Sequence, residues 1–484
     1  MPIILALDQG TTGSTAIVFA PDGRVLGRGY REIPQHFPRP GEVEHDPASL
    51  IDTLVEAGRE AIAQSGATPE AIGITNQRET VVLWDRETLE PIGRAIVWQD
   101  RRTAKRCREL REEGHADVIR ERTGLVIDPY FSATKLEWLL GSGDIRARAD
   151  AGSLAAGTVE SWVVTKLSGG THISDRTNSC RTMLANIASG DWDEAMLELF
   201  GVPRDILPTV VPSAGKLAVA GAEWFGRDLP ITGLVGDQQA ALFGQGCERP
   251  GEAKITYGTG SFLLRFTGTD APPHPDAGIL ATIAAGSDGG IGWALEGSSF
   301  IAGAAVQWLR DGLGLIESAS ETAEIAASVD DSGGVVFVPA FTGLGAPHWN
   351  AHARGTITGL TRGTGRAHLV RATLEAITHG TADLVEAMGG VRELRVDGGA
   401  AANDWMMQQQ ADLLGVPVVR PPAVELTAYG AARLAAIGIG GALPPAADLG
   451  AHDTFEPGRT DQWRAEQRGE WKRTVAAAVA WAEG

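Results

Sequence analysis

Short continuous apolar runs, each closed by a polar turn, recur along this chain and predict strands buried on both faces rather than one. Ile3–Leu7 and Ala16–Phe19 flank Asp8-Gln9-Gly10-Thr11-Thr12-Gly13-Ser14-Thr15, and Pro21-Asp22-Gly23 turns into a third strand, Val25–Gly27. Ala71–Ile74 and Val81–Trp84 flank the polar knot Thr75-Asn76-Gln77-Arg78-Glu79-Thr80, and Ile96–Trp98 ends in Gln99-Asp100-Arg101-Arg102. Lys254–Thr256 and Phe262–Phe266 flank Tyr257-Gly258-Thr259-Gly260-Ser261. This repeats the strand, Gly/Thr turn, strand layout of the N-terminus and predicts an internally duplicated architecture. Helical spacing covers Ala48–Gln64, with Asp46 as N-cap and Pro47 as its first residue. It also covers Cys107–Glu113, Lys135–Leu140, Gly157–Leu167, Gly303–Leu309, Ala367–Met388, the stretch from Asn403 (an N-cap) to Leu414, and a C-terminal helix carrying Trp471, Val475 and Val479. His45 is expected in a loop and Val202–Pro212 as a rigid surface connection; Thr171–Met183 suggests no chemistry.

Against this frame a few polar residues stand out. The run Ile231–Gly236 reads as a strand followed by a small-residue helix, which places Asp237 just beyond a strand's carboxyl end, where open α/β sheets carry their chemistry. Ionised at pH 7, it could accept a proton or hold a cation; the alternative is a helix cap. The two Gly/Thr turns offer backbone N–H groups and hydroxyls to a phosphate chain, with Asp8 placed to hold magnesium through water; the alternative is a pair of ordinary hairpins. The first turn lacks the ending of a P-loop and the helix opening of a dinucleotide fingerprint, which argues against those two families. Arg78 and Glu79 suit a small polar solute, one donating and one accepting hydrogen bonds, or form a surface ion pair. Trp98 is an apolar wall or core. Gly398 and Gly399 let a flat ring or phosphate approach the backbone, whereas a plain strand–helix turn would need one glycine.

Composition narrows the field. At about 150 residues per domain, 484 residues predict two to four domains. The 42 Lys+Arg against 61 Asp+Glu give a net charge of −19, which argues against nucleic acid or an anionic membrane as main partner. A phosphorylated ligand remains possible through local amides, magnesium and single Arg residues. Cys107, Cys180 and Cys247 form no CxxC pair, so neither a disulfide framework nor a structural zinc is expected, and a reducing cytoplasm fits. The N-terminal apolar run meets Asp8 too soon for a signal peptide, and no stretch is long enough to span a membrane.

Taken together, Leu7-Asp8-Gln9-Gly10-Thr11-Thr12, Asn76-Gln77-Arg78-Glu79-Thr80, Trp98-Gln99-Asp100-Arg101-Arg102-Thr103, Gly236-Asp237-Gln238-Gln239, Tyr257-Gly258-Thr259-Gly260, Phe341-Thr342-Gly343-Leu344-Gly345-Ala346-Pro347 and Val396-Asp397-Gly398-Gly399 resemble the FGGY carbohydrate kinases of the actin/hexokinase/Hsp70 ATPase superfamily, and among them the members that phosphorylate glycerol. The resemblance implies an α/β protein of two duplicated actin-like (RNase H-like) ATPase domains, 1–246 and 247–484, around a central cleft. It implies polyol contacts at Arg78, Glu79, Trp98, Tyr130, Asp237, Gln238 and Phe262. Nucleotide contacts fall on Thr11, Thr12, Gly13, Thr259, Gly303, Gln307, Gly399 and Asn403, magnesium carboxylates on Asp8 and Asp237, and the general base on Asp237. ATP and Mg2+ follow as cofactors, as does a homodimer or homotetramer, without fixing which. Thr15 stands where the family usually has Arg. The loop through which some members bind fructose 1,6-bisphosphate is missing around Trp224–Pro230. A kinase for another polyol or sugar, such as erythritol or xylulose, and a non-transferring actin- or Hsp70-like ATPase are the alternative functions.

Overall fold

The computed structural model describes residues 2–275, 278–286, 290–350, 352–422 and 425–483. Two large mixed sheets organise it. The first has six strands. Ile4–Gln9 pairs antiparallel with Gly13–Phe19, which pairs with Val25–Glu32; on its other side Ile4–Gln9 runs parallel to Ala71–Asn76, and that strand runs parallel to Leu229–Gly236. The second repeats the plan: Ala253–Tyr257 pairs antiparallel with Ser261–Gly268 and parallel with Leu394–Asp397. The duplication legible in the two turns is therefore a duplication of sheet topology.

The apolar runs are continuous because helices cover both faces of the first sheet. Leu5, Leu7, Ala16 and Val18 pack with Leu50, Leu54 and Val55 of the helix Pro47–Ser65, whose N-cap Asp46 accepts from Ala48 N at 3.0 Å. Ile4, Ala6, Ile17 and Phe19 face the other way, onto Ala428, Tyr429, Ala432 and Ala435 of the helix Leu426–Gly438. That helix lies in the second half of the expected 246/247 division but packs on the first sheet. Its small residues permit close approach: a Cβ on Gly430 would lie 1.9 Å from the Ala240 carbonyl oxygen. The helix Arg366–Ala387 and the helix Asp404–Leu414 bury Leu374, Ile377, Met406 and Met407 against Ile255 and Tyr257 of the second sheet.

A small five-stranded sheet follows the first, and here two readings need correcting. His45 is not in a loop; it sits fully buried on the strand Glu44–His45 opposite Ala95, and burial pushes its imidazole down to about 4. The predicted helix from Gly157 is strand at its start, Leu154–Thr158, because Gly157 pairs with Val82; the helix runs Val159–Ser168. Within Val202–Pro212, Thr209–Val211 pairs with Ile173–Asp175. No helix among the described residues is long and apolar enough to cross a membrane.

Candidate active site

Three parallel strands of the first sheet end at one edge: Gln9 lies beside Asn76, and Asn76 beside Gly236. The residues that follow are therefore neighbours, namely the Gly10–Thr12 turn, Gln77-Arg78-Glu79, and Asp237. Gly236 has no side chain because a Cβ there would lie 2.7 Å from Arg78 Cδ. Asp237 opens the helix Asp237–Gly244 with its side chain 31% exposed. Its Oδ1 accepts from Gln238 N at 2.7 Å and its Oδ2 from Gln238 Nε2 at 3.2 Å, while Arg78 Nε stands 3.0 Å from Oδ1. A capping carboxylate reaches the amides two or three residues on. Asp237 reaches only the next one, and its oxygens remain open to a ligand's hydroxyl.

Arg78 and Glu79 are not a surface pair. Arg78, Glu79, Arg181 and Glu296 form a buried network of two positive and two negative charges. Arg78 donates to Glu296 through Nη1 at 2.7 Å and Nη2 at 2.9 Å, and to Gln239 Oε1 at 3.1 Å. Arg181 joins Glu79 (2.7 Å) to Glu296 (3.0 Å). Burial alone would raise the Glu296 carboxyl; Arg181 and Arg78 overcome it and hold the group down at about 2. For Glu79 burial prevails over the same two guanidiniums and the pKa rises. Glu79 also holds a left-handed backbone, φ 61°, uncommon for a residue with a side chain and typical of sites where surrounding contacts fix the chain. Among the described residues Nη2 of Arg78 makes one hydrogen bond, to Glu296, and its second N–H can serve a ligand.

Trp98 and Tyr130 pack edge to face at 5.4 Å beside this network, and the Arg181 guanidinium lies 5.8 Å from the Tyr130 ring. Trp98 Nε1 donates to Thr11 Oγ1 at 2.9 Å, and Gln77 Nε2 to the Gly10 carbonyl at 3.0 Å, so the polar knot braces the first turn. Gln238 is buried at the start of its helix. Phe262 lies on the second sheet opposite Thr256 and Ser298, and among the described residues no ring contact joins it to Trp98 or Tyr130.

In the first turn Thr12 is exposed and Thr11 half-buried; Gly13 is buried in strand, covered by Tyr30, whose hydroxyl oxygen lies 2.4 Å from where a Gly13 Cβ would be. Thr259 is exposed at the tip of the second turn, and its carbonyl accepts from Ala302 N and Ala304 N, which seats Gly303 against that turn. Gln307 is exposed on the same short helix, Gly303–Gln307. Gly398, at φ 86°, must be glycine because a Cβ would lie 2.4 Å from the Tyr257 carbonyl oxygen; Gly399 faces open space. Asn403 caps its helix through Met406 N at 2.9 Å and donates to Thr322 Oγ1 at 3.0 Å. Burial and the charges of Asp237 and Glu425 push the Asp8 carboxyl up to about 8. Two repelling carboxylates with hard oxygen donors fit a divalent cation such as magnesium, which would relieve that repulsion.

Composition also missed a layer behind the site. From Thr171–Met183, Thr177 Oγ1 accepts from Gly236 N at 2.8 Å and donates to Asp175, fixing the residue before Asp237. Asp175 and Glu160 are both buried, and burial plus the Asp175 charge raise the Glu160 pKa well above the usual carboxylate range. Asn178 ties Glu160 to Asn76. Met183, at the end of this stretch, is another non-glycine residue at positive φ, 65°.

The model of the FGGY family of carbohydrate kinases matches in both parts, the N-terminal domain over residues 3–244 and the C-terminal domain over 253–439. The chain belongs to the FGGY family of carbohydrate kinases. It is 55% identical to a glycerol kinase of Aromatoleum aromaticum, over 99% of each chain, and 50% identical to glycerol kinase 2 of Thermotoga maritima, also over 99% of each. The crystal structure of a Plasmodium falciparum glycerol kinase with ADP superposes with a TM-score of 0.93 at 33% identity, covering 99% of this chain and 98% of that one. A xylulose kinase from Rhodospirillum rubrum superposes at 0.86 with 25% identity over both full lengths. The duplicated sheets are thus the actin-like fold of FGGY kinases, with Asp237 at the end of the first body's sheet.

Proposed function

We propose that the chain transfers the γ-phosphoryl group of ATP to a terminal hydroxyl of glycerol, giving glycerol 3-phosphate and ADP, with Asp237 as general base. The observation that carries this reading is a half-exposed carboxylate at the shared edge of three parallel strands, flanked by a buried, pre-oriented Arg78. End-to-end identity of 55% with a glycerol kinase supports glycerol as the polyol. Asp237 takes the hydroxyl proton as the oxygen attacks phosphorus in line and the bond to the β-phosphate oxygen breaks. Arg78, Glu79 and Tyr130 orient the other hydroxyls, with Trp98, Gln238 and Phe262 completing the polyol site, so that the attacking oxygen is aimed rather than merely near. Amides and hydroxyls at Thr11, Thr12, Thr259 and Gly399 face the nucleotide's phosphates, with Gly303, Gln307 and Asn403 toward the rest of it. Asp8 and Asp237 would hold magnesium, which when bound neutralises charge on the phosphates. Three buried free thiols suit a reducing cytoplasm.

The test is ADP release with glycerol, erythritol, xylulose or no acceptor. The expected result is the highest kcat/KM with glycerol and little release without acceptor. A higher value with xylulose or erythritol overturns the choice of polyol, and equal release without any acceptor overturns phosphoryl transfer itself.

A further inference from the structure

Asp237 belongs to the first sheet, yet the groups that fix its two flanking side chains come from the second. On one flank, Gln238 offers Nε2 to Asp237 Oδ2 at 3.2 Å, while its Oε1 accepts from Lys254 Nζ at 2.5 Å. An ammonium only donates, so Lys254 decides which end of that amide meets the carboxylate. Lys254 is buried on Ala253–Tyr257 and is anchored to its own strand through Thr256 Oγ1 at 2.9 Å. On the other flank, Glu296 of the strand Gly292–Ser299 grips Arg78 at both terminal nitrogens, at 2.7 and 2.9 Å. A guanidinium is planar and rigid, so two bonds to its fork also fix Nε, which stands 3.0 Å from Asp237 Oδ1. Glu296 is held in turn by Arg181 at 3.0 Å.

The helix Asp237–Gly244 lies between the bodies. Ala240 and Phe243 pack with Ala431 and Leu434, while Leu242 packs with Leu264 and Phe266 of the second sheet. Gln239 Nε2 crosses to Thr282 Oγ1 at 3.0 Å. Both sides of the seam therefore meet at the base.

We propose that Glu296 and Lys254 are positioning residues that aim the Asp237 carboxylate from across the seam, so that the base is aligned only while the two bodies are engaged. Neither touches the reacting atoms; each acts through a side chain that does. This rests on Asp237 being the base. It gives the two-body fold a chemical role: a motion that separates the sheets withdraws both supports together and leaves Asp237 free to swing, whereas engagement restores them.

The test compares Glu296→Gln and Lys254→Met with the full-length wild type at saturating ATP, using whichever polyol gives the highest wild-type rate, alongside melting temperatures. Glu296→Gln keeps the shape and one acceptor but loses the bidentate charge. The expected kcat per folded molecule falls about 10²-fold in Glu296→Gln and about tenfold in Lys254→Met, the scale of a displaced reacting group, with KM for ATP within about twofold. A purely structural role lowers the melting temperature and leaves kcat per folded molecule unchanged, which overturns the proposal. If Glu296→Gln does not fold, Lys254→Met decides alone. A wild type with no acceptor-dependent activity contradicts the function reading, and the positioning proposal falls with it; an active wild type with unaffected variants overturns the positioning proposal only.

Discussion

Asp237→Asn is expected to lower kcat by about 10²–10⁴-fold, the range supplied by a positioned general base, while KM for ATP and for glycerol stays within a few-fold. Asn has the same shape, and its carbonyl oxygen can still accept from Gln238 N, so the helix start is preserved. What goes is the ability to take a proton and the charge facing Arg78 Nε. Because the side chain is partly exposed, little stability is at stake and the melting temperature should move by only a few degrees. Steady-state kinetics with both substrates varied, together with a thermal melt, check this. Near-normal kcat removes Asp237 from the role of base.

Arg78→Ala should damage both recognition and stability. Its removal leaves Glu79 and Glu296 buried with Arg181 as their remaining guanidinium, and breaking a buried pair from one side costs about 3–5 kcal/mol. Lost charge-assisted hydrogen bonds to the polyol, at about 1.5–3 kcal/mol, correspond to about 10–100-fold in kcat/KM for glycerol. Arg78→Lys separates the two effects. It restores a positive charge without the fork that meets Glu296 at both nitrogens, so it should recover part of the melting temperature and little of kcat/KM. Full recovery of kcat/KM by Lys contradicts a geometric role for Arg78.

Much of this was legible in the chain because its signals are local. The hairpins read correctly since strand, turn and strand are adjacent in sequence, and apolar runs such as Ile4–Leu7 are unbroken because helices cover both faces of the sheet. The Asp46 and Asn403 caps read correctly for the same reason. What escaped depends on distant pairing. His45 is in a strand because Gln35 and Ala95 lie on either side of it, and Gly157 because Val82 lies beside it. Leu426–Gly438 has an apolar, small-residue pattern that any sheet could accept; only topology carries it back to the first. Glu296 and Arg181 carry no motif, since their partners lie from 102 to 218 residues away. Lys254 reads as part of an ordinary strand until the Gln238 amide is seen above it. The first layer of a site leaves motifs, whereas the charges that hold that layer are spread through the chain.

The most direct measurement is a crystal structure of the chain with glycerol and a non-hydrolysable ATP analogue. The expected result is a terminal glycerol oxygen within about 2.6–3.2 Å of an Asp237 carboxylate oxygen, on the line to the γ-phosphorus, with Arg78 on a neighbouring hydroxyl. Glycerol bound with no hydroxyl within reach of Asp237, or with another side chain in that place, contradicts the account.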